Sequence, residues 1–291
     1  MGIEIGLLGI KFHEHARKRI LEEFKRMNLK VVKLNLGKLC LSIDGKLSGF
    51  QDKVKLDELD VVLPRFSTGH YRFGLITMRQ LEAMGIPTIN SYRAIKNCQN
   101  KYLTSLLLSK NNIPQPRAYL ASSSAGILRA VKKLENPVIF KLLHGGKGSG
   151  VALINSSIEA EDWISTMSKV GRLIYLQEYI PHEKNEDYRL FVLGNEVIGA
   201  MKRISVHGWK TNFSLGNKVE VMKPDSDLIE MALKSAKAVE ADICGVDIMK
   251  GKTGNQVIEV NQHPGFEGLE KATGKNIARK IAQYTIKQVK K

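Results

Sequence analysis

The amino-acid sequence predicts an α/β chain, an open N-terminal sheet followed by α+β lobes, and three observations carry that prediction. Short apolar runs alternate with helical patterns in a β-α-β-β-α-β rhythm over residues 1–91. A proline pair, Pro114 and Pro116, then breaks the chain, because the residue before each ring is pushed out of helical geometry. Near the C-terminal end, two β-rich runs flank Gly251-Lys-Thr-Gly254 and so mark a hairpin.

Taken in order, residues 3–10 form a short apolar run suited to a buried strand. Ala16, Ile20, Leu21, Phe24 and Met27 then make one stripe of a helix, with Lys and Arg opposite. Val31, Val32 and Leu34 give a second strand, and Asp44-Gly45 turns a hairpin after residues 39–43. Residues 60–63 form another buried strand, residues 73–84 a helix, and residues 86–89 return to the sheet. The loop from Arg65 to Arg72 leaves a strand at its carboxyl end, where such sheets bind ligands. One helix is expected to carry Ile95, Tyr102, Leu103, Leu106 and Leu107. Strands follow at 137–143 and 151–154 around a glycine run, then a helix with Trp163, a strand at 173–180, and a hairpin turning at Gly194-Asn195. An amphipathic helix over 226–241, the hairpin of the opening paragraph and a basic helix from Asn276 complete the chain. Length alone suggests roughly two domains, the first over residues 1–91.

With 43% hydrophobic and 25% charged residues, the composition is that of a globular protein. No apolar run approaches the roughly 20 residues that span a bilayer, and no signal peptide is evident, so no membrane and a cytoplasmic location are expected. Cys40, Cys98 and Cys244 have neither metal spacing nor a disulfide pattern. The net charge of +16 favours an anionic substrate or partner. Its basic residues are dispersed and not interleaved with aromatics, which argues against nucleic acid.

Val246 and Ile248 alternate against Asp247, and Ile258 and Val260 alternate against Glu259 and Asn261. Period-two geometry therefore sets two carboxylates and an amide oxygen on one face, a donor set that suits a hard cation such as Mg²⁺. A solvated strand face shows the same pattern, and the spacing alone does not choose between them. Gly145, Gly146, Gly148 and Gly150, with Lys147 among them, let backbone N–H groups approach an anion. This run is neither a Walker A loop nor a dinucleotide fingerprint, because a strand follows it. It is either a hairpin over phosphates or a plain turn. Lys141 lies on the strand before it, Lys101 on a helix, and Glu178-Tyr179 at a strand end.

The order of these features resembles the ATP-grasp superfamily, and within it the RimK-type carboxylate–amine ligases. The likeness covers nearly the whole chain and is most specific in residues 265–274 and Asn276-Ile-Ala278. It implies an ATP-grasp fold in three parts: an open α/β pre-ATP-grasp domain over 1–91, a central lobe with the glycine flap over 92–176, and a C-terminal lobe with the metals over 177–291. Lys101 and Lys141 would then bind ATP phosphates, Glu178 and Tyr179 the adenine, and Asp187 would lie near the ribose. Lys210, Thr211 and Asn212 would reach the nucleotide, and Arg203 would face the reacting phosphoryl group. Asp247, Glu259 and Asn261 would ligate two Mg²⁺ or Mn²⁺.

The implied reaction is ATP-dependent, ADP-forming addition of α-linked L-glutamate to an acceptor carboxylate through an acyl phosphate. A glutamylated coenzyme of the F420 or tetrahydromethanopterin type is the expected acceptor. The alternatives are an acidic protein tail, as in ribosomal-protein glutamylation or the LysX branch, and a basic nucleotide-binding module without catalysis. A homo-oligomer is expected by analogy. Residues 212–218 lack the basic, double-glycine loop typical of the ribosomal-protein branch, and His263 stands where a small residue is usual, so the acceptor is left open.

Overall fold

The computed structural model describes residues 2–9, 14–135, 137–145, 150–169, 173–181, 185–206 and 218–289. The first apolar run forms β1 (Glu4–Leu8), which lies between β2 (Lys30–Leu34) and β6 (Val61–Pro64) in a parallel sheet. Parallel strands need a crossover, supplied here by α1 (Glu14–Arg26), whose Ala16, Ile20 and Phe24 are buried. The chain leaves β1 toward β2 on one side and returns to β6 on the other. The carboxyl ends of β1 and β6 therefore flank a topological switch point.

Between β2 and β6 a small antiparallel sheet is inserted, made of β3 (Cys40–Asp44), β4 (Lys46–Gln51) and β5 (Val54–Lys55). The return strand expected at 86–89 is only an isolated bridge between Val62 and Thr88. Pro87 has no N–H, and its carbonyl accepts from Val62 while Ile89 donates back, after which pairing ends.

After α2 (Tyr71–Ala83), the single helix expected around residue 100 is two, α3 (Tyr92–Gln99) and α4 (Lys101–Lys110). Asn100 leaves helical geometry and its side chain accepts from the backbone of Tyr102 and Leu103, capping the second helix. That break sets Lys101 at the first position of α4.

Next comes a four-stranded antiparallel sheet of β7 (Ala118–Ala121), β8 (Val138–Leu142), β9 (Val151–Ile154) and β10 (Ile174–Glu178), in the order β7-β10-β8-β9. It carries α5 (Ser124–Leu134) and α6 (Ser157–Lys169). A five-stranded antiparallel sheet follows, with β11 (Glu186–Leu193), β12 (Glu196–Ile204), β13 (Lys218–Val221), β14 (Ile243–Gly251) and β15 (Gly254–Asn261). Its order is β13-β12-β11-β14-β15. Helix α7 (Ser226–Ala238) precedes β14, and α8 (Glu267–Thr273) and α9 (Ile277–Val289) follow β15.

Burial divides differently from the order of the chain. Ile5, Leu7, Phe24 and Leu63 of the N-terminal sheet share one apolar core with Phe191, Ile243, Leu269 and Ile281. Ala94, Cys98 and Leu108 of α3 and α4 pack with Val246, Ile248 and Val260. Leu34, Leu56, Val62, Met78 and Ile95 make a second core within the N-terminal region, and the four-stranded sheet has its own around Ile127, Phe140, Ile164 and Leu176. Trp163 is 39% exposed, and its ring is tilted 41° to that of Phe140.

Residues 265–278, on which the family likeness was strongest, serve as a joint. Arg19 of α1 donates to Glu270 at 3.1 Å and to Asn276 at 3.2 Å, and Asn276 in turn donates to Glu23 at 3.0 Å.

Candidate active site

Four neighbouring strands of the C-terminal sheet carry charge on one face. Arg203 on β12 pairs with Asp187 on β11; Arg189, two residues along β11, pairs with Asp247 on β14; and Asp247 pairs with Glu259 on β15. Asn261 lies opposite Gly245 on the same face. The strict alternation expected of β15 does not hold. A bulge leaves Ile258 without a partner, so Val257 rather than Ile258 enters the core beside Val260. With one residue absorbed, Glu259 still stands level with Asp247.

Charges alternate across this face and are closely bound. Arg203 grips Asp187 with two hydrogen bonds of 2.6 and 2.5 Å, and reaches Asp247 at 3.0 Å. Arg189 holds both oxygens of Asp247 at 2.6 Å. Burial alone would push the Asp247 carboxyl up, but Arg189 and Arg203 outweigh it and hold it below the ordinary value of 3.8. Burial would likewise lower Arg203, and Asp187 and Asp247 reverse that, raising it well above the usual guanidinium range.

Arg189 was not among the expected site residues, although its position two residues beyond Asp187 on one strand is a usable signal. Asp187 is only 1% exposed, with both oxygens taken by Arg203. A carboxylate so placed orients Arg203.

Glu259 contrasts with its neighbours. It is half-buried and makes no hydrogen bond or ion pair among the described residues. Asn261 donates its amide to Asp247 at 3.4 Å. Among the described residues no group of three or more His, Cys, Asp or Glu is gathered. The oxygen donors available to a hard cation are thus Glu259, the Asn261 amide oxygen and, where Arg189 yields it, Asp247. An acceptor-only carboxylate left unpaired in a partly buried place fits such a cation.

Across from this face stands β8. Lys141 pairs with Tyr175 of β10, and its ammonium donates to Gln177 at 2.5 Å. Gln177 also donates to the Tyr175 hydroxyl at 3.3 Å, which lies 2.8 Å from the hydroxyl of Ser105 on α4. This chain of polar groups aims the lysine. Burial pulls the Lys141 ammonium down to about 8, against the attraction of Glu259 and Asp247. Lys101, Lys141 and Glu259 line one narrow cavity with Tyr175 and Ile258, so the structure brings them together. Lys101 donates to the carbonyl of Gly145 at 3.3 Å, at the base of the glycine run.

At the end of β10, Arg117 donates to Glu178 at 3.0 Å and lowers its carboxyl pKa, so this side chain is already engaged. Any contact with a base there falls to the backbone around Glu178 and Tyr179. At the far end of the glycine run, Gly150 has φ +70°, and a Cβ would meet Leu142 Cδ1 at 2.5 Å, so glycine is required. Gly146, Lys147 and Gly148, and likewise Trp209, Lys210, Thr211 and Asn212, lie outside the described residues.

Comparison with known proteins agrees with this architecture. Residues 98–285 match the model of the RimK-like ATP-grasp domain, and residues 3–95 that of the RimK PreATP-grasp domain. The chain belongs to the RimK-like ATP-grasp family. It is 30% identical over 290 residues to a probable alpha-L-glutamate ligase of Rhodopirellula baltica, covering 99% of this chain and 72% of that one. A RimK domain ATP-grasp protein of Sphaerobacter thermophilus shares the fold, with a TM-score of 0.77 and 20% identity over 97% of this chain and 99% of that one. The ATP-grasp ligase PsnB, solved with a phosphomimetic variant of its minimal precursor, Mg and ADP, has a TM-score of 0.74 at 17% identity, covering 98% of each chain.

This RimK-like chain is therefore an ATP-dependent, ADP-forming ligase with the ATP-grasp fold and a pre-ATP-grasp domain before it. No described helix is long and apolar enough to cross a membrane.

Proposed function

We propose that this ligase joins L-glutamate, by its amine, to a carboxylate of an acidic acceptor, through an acyl phosphate formed from ATP. The observation that carries the assignment is the cavity where Lys101 and Lys141 meet the unpaired carboxylate of Glu259. A carboxylate is a poor electrophile, since its leaving group would be oxide, and phosphorylation makes it competent. The phosphoryl transfer needs charge neutralisation more than proton movement.

Lys101 and Lys141 supply cations for the phosphates, with the glycine run 145–150 around them. Glu259, Asn261 and Asp247 would hold two Mg²⁺, which neutralise phosphate charge when bound. Arg203, oriented by Asp187, adds a fixed positive charge beside Asp247. The backbone near Glu178 and Tyr179 would take the adenine, and residues 210–212 would add contacts to the nucleotide. The division 1–91, 92–176 and 177–291 is kept, with α3 and α4 packed across the second boundary.

Glutamate is favoured by the name of the Rhodopirellula relative. An acidic acceptor accords with the +16 charge and with a groove of about 700 Å³ beside β8, where His70, Arg72 and His144 supply basic groups. We assign the acceptor to the glutamylated coenzymes, in the cytoplasm. Purified protein given ATP, Mg²⁺ and glutamate with, in turn, a glutamylated coenzyme and an acidic protein tail should release ADP. The coenzyme should gain a single glutamyl mass. Mass gain on the protein tail alone would overturn the acceptor assignment, and ADP release without mass gain on either would overturn the ligase reading.

Lys141 adds a pH dependence. With the free-enzyme ammonium near 8, affinity for ATP should be flat below pH 8 and fall as pH rises above it, because the lysine must then recover a proton. Lys141→Arg stays charged throughout this range. The KM for ATP measured from pH 7 to 9.5 should rise roughly tenfold per unit above pH 8 in the native enzyme. In the arginine variant it should be level, and parallel curves for the two would remove Lys141 from the phosphate site.

A further inference from the structure

The guanidinium of Arg65 is fully buried, at 1% exposure, and meets no carboxylate among the described residues. Its Nη2 donates to the carbonyl of Pro264 at 2.9 Å, and its Nε is buried with no hydrogen-bond partner. No carboxylate offsets it, and burial alone drags its pKa down to about 10. Arg203, equally buried, is met by two aspartates. A buried cation left in that condition is costly, and an incoming anion recovers the cost.

Its position is built rather than incidental. Arg65 follows β6 at the switch point of the parallel sheet, where ligands of such sheets bind. Its N–H donates to the carbonyl of Leu8 at 2.6 Å. On the other side Gly9, with φ +122°, comes so close that a Cβ there would lie 2.4 Å from the Arg65 carbonyl. The backbone is thus pinned by the end of β1, and the side chain crosses to the segment following the Glu259–Asn261 strand. Pro264 in turn packs on Gly245, where a Cβ would fall 3.1 Å from Pro264 and 3.5 Å from Arg189. One packed layer therefore separates Arg65 from the Arg189–Asp247 pair.

We propose that Arg65 is the receptor for a substrate carboxylate other than the one being activated, held at the switch point so that the reacting end of that substrate reaches the Asp247–Glu259 face. The proposal rests on the ligase reading above and adds to it a specificity residue. Two sources share this chemistry, a free carboxylate of the incoming amino acid and a free carboxylate of the acceptor. A bidentate guanidinium–carboxylate contact serves either.

Arg65→Met tests it, with Arg65→Lys beside it. The KM for one carboxylate substrate should rise roughly 10–100-fold, the loss expected for a charged hydrogen bond, while the KM for ATP stays within about twofold. Whichever KM moves, glutamate or acceptor, names the source, and the lysine variant should recover part of the loss. Thermal unfolding separates this from a structural strap. A receptor without a counterion gives Arg65→Met a Tm equal to or above native, whereas a strap to Pro264 gives a Tm lower by several degrees with both KM values unchanged, which overturns the proposal. Should the native chain ligate nothing, the ligase reading fails, and glutarate titrated into native and Arg65→Met protein by calorimetry still decides. Binding by the native protein alone supports the receptor; equal heats, or none in either, overturn it.

Discussion

Glu259→Gln is expected to slow ADP release by roughly 10²–10³-fold while leaving the fold unchanged. The substitution keeps volume and one carbonyl oxygen but removes the negative charge. Among the described residues that charge is committed to no hydrogen bond or ion pair, so folding is not expected to suffer from its removal. Everything Glu259 contributes is therefore available to a cation or to the Lys141 ammonium across the cavity. A coupled assay of ADP release, with circular dichroism and a thermal melt as controls, checks it. Turnover within about threefold of native would remove Glu259 from the metal set, and a Tm lowered by several degrees would show a structural partner instead.

Arg203→Met should cost about 3–5 kcal/mol of stability, the range for removing one partner of a buried ion pair. Asp187, 1% exposed, would lose the two hydrogen bonds that Arg203 gives its oxygens. Asp247 would keep Arg189, so its share of the loss is smaller. Urea unfolding of the native protein, the two single variants Asp187→Asn and Arg203→Met, and the double variant measures this. The double variant should recover part of the loss, because the carboxylate that lost its guanidinium is then neutral; a loss equal to the sum of the two single substitutions contradicts the coupling. The sign with pH follows from Asp247. Its carboxyl is held below 3.8 in the fold, so its contribution is complete above that value and disappears as pH falls through the lower folded value.

What could be seen in the sequence were the patterns made by neighbours along the chain. The hairpin of β14 and β15 and the shared face of Asp247, Glu259 and Asn261 followed from alternation, and the structure keeps that face. The bulge at Ile258 did not, because a bulge is decided by what the opposite strand and the core accept. Lys101 was placed on a helix, but its place at the start of α4 depends on Asn100 turning out to cap it. Arg189 escaped notice because a strand arginine has meaning only once its cross-strand neighbour is known. Arg65 was placed in a ligand-binding loop, but its partner at Pro264, 199 residues away, could not be read from the chain. The residues most specific to the family, Glu270 and Asn276, proved to hold α1 in place, so a strong sequence signature here marks a joint.

Asn90 gives that joint a mechanical meaning. Its amide donates to the carbonyls of Ile243 at 2.7 Å and Gln262 at 2.8 Å, and its oxygen accepts from the N–H of Ile243 at 2.7 Å. One buried side chain thus rivets the first sheet to the start of β14 and to the residue just after β15. With the apolar core they share, these sheets form the fixed jaw of a caliper. The four-stranded sheet, with its separate core, is the other jaw, and Lys141 is the tip that measures the gap to Glu259.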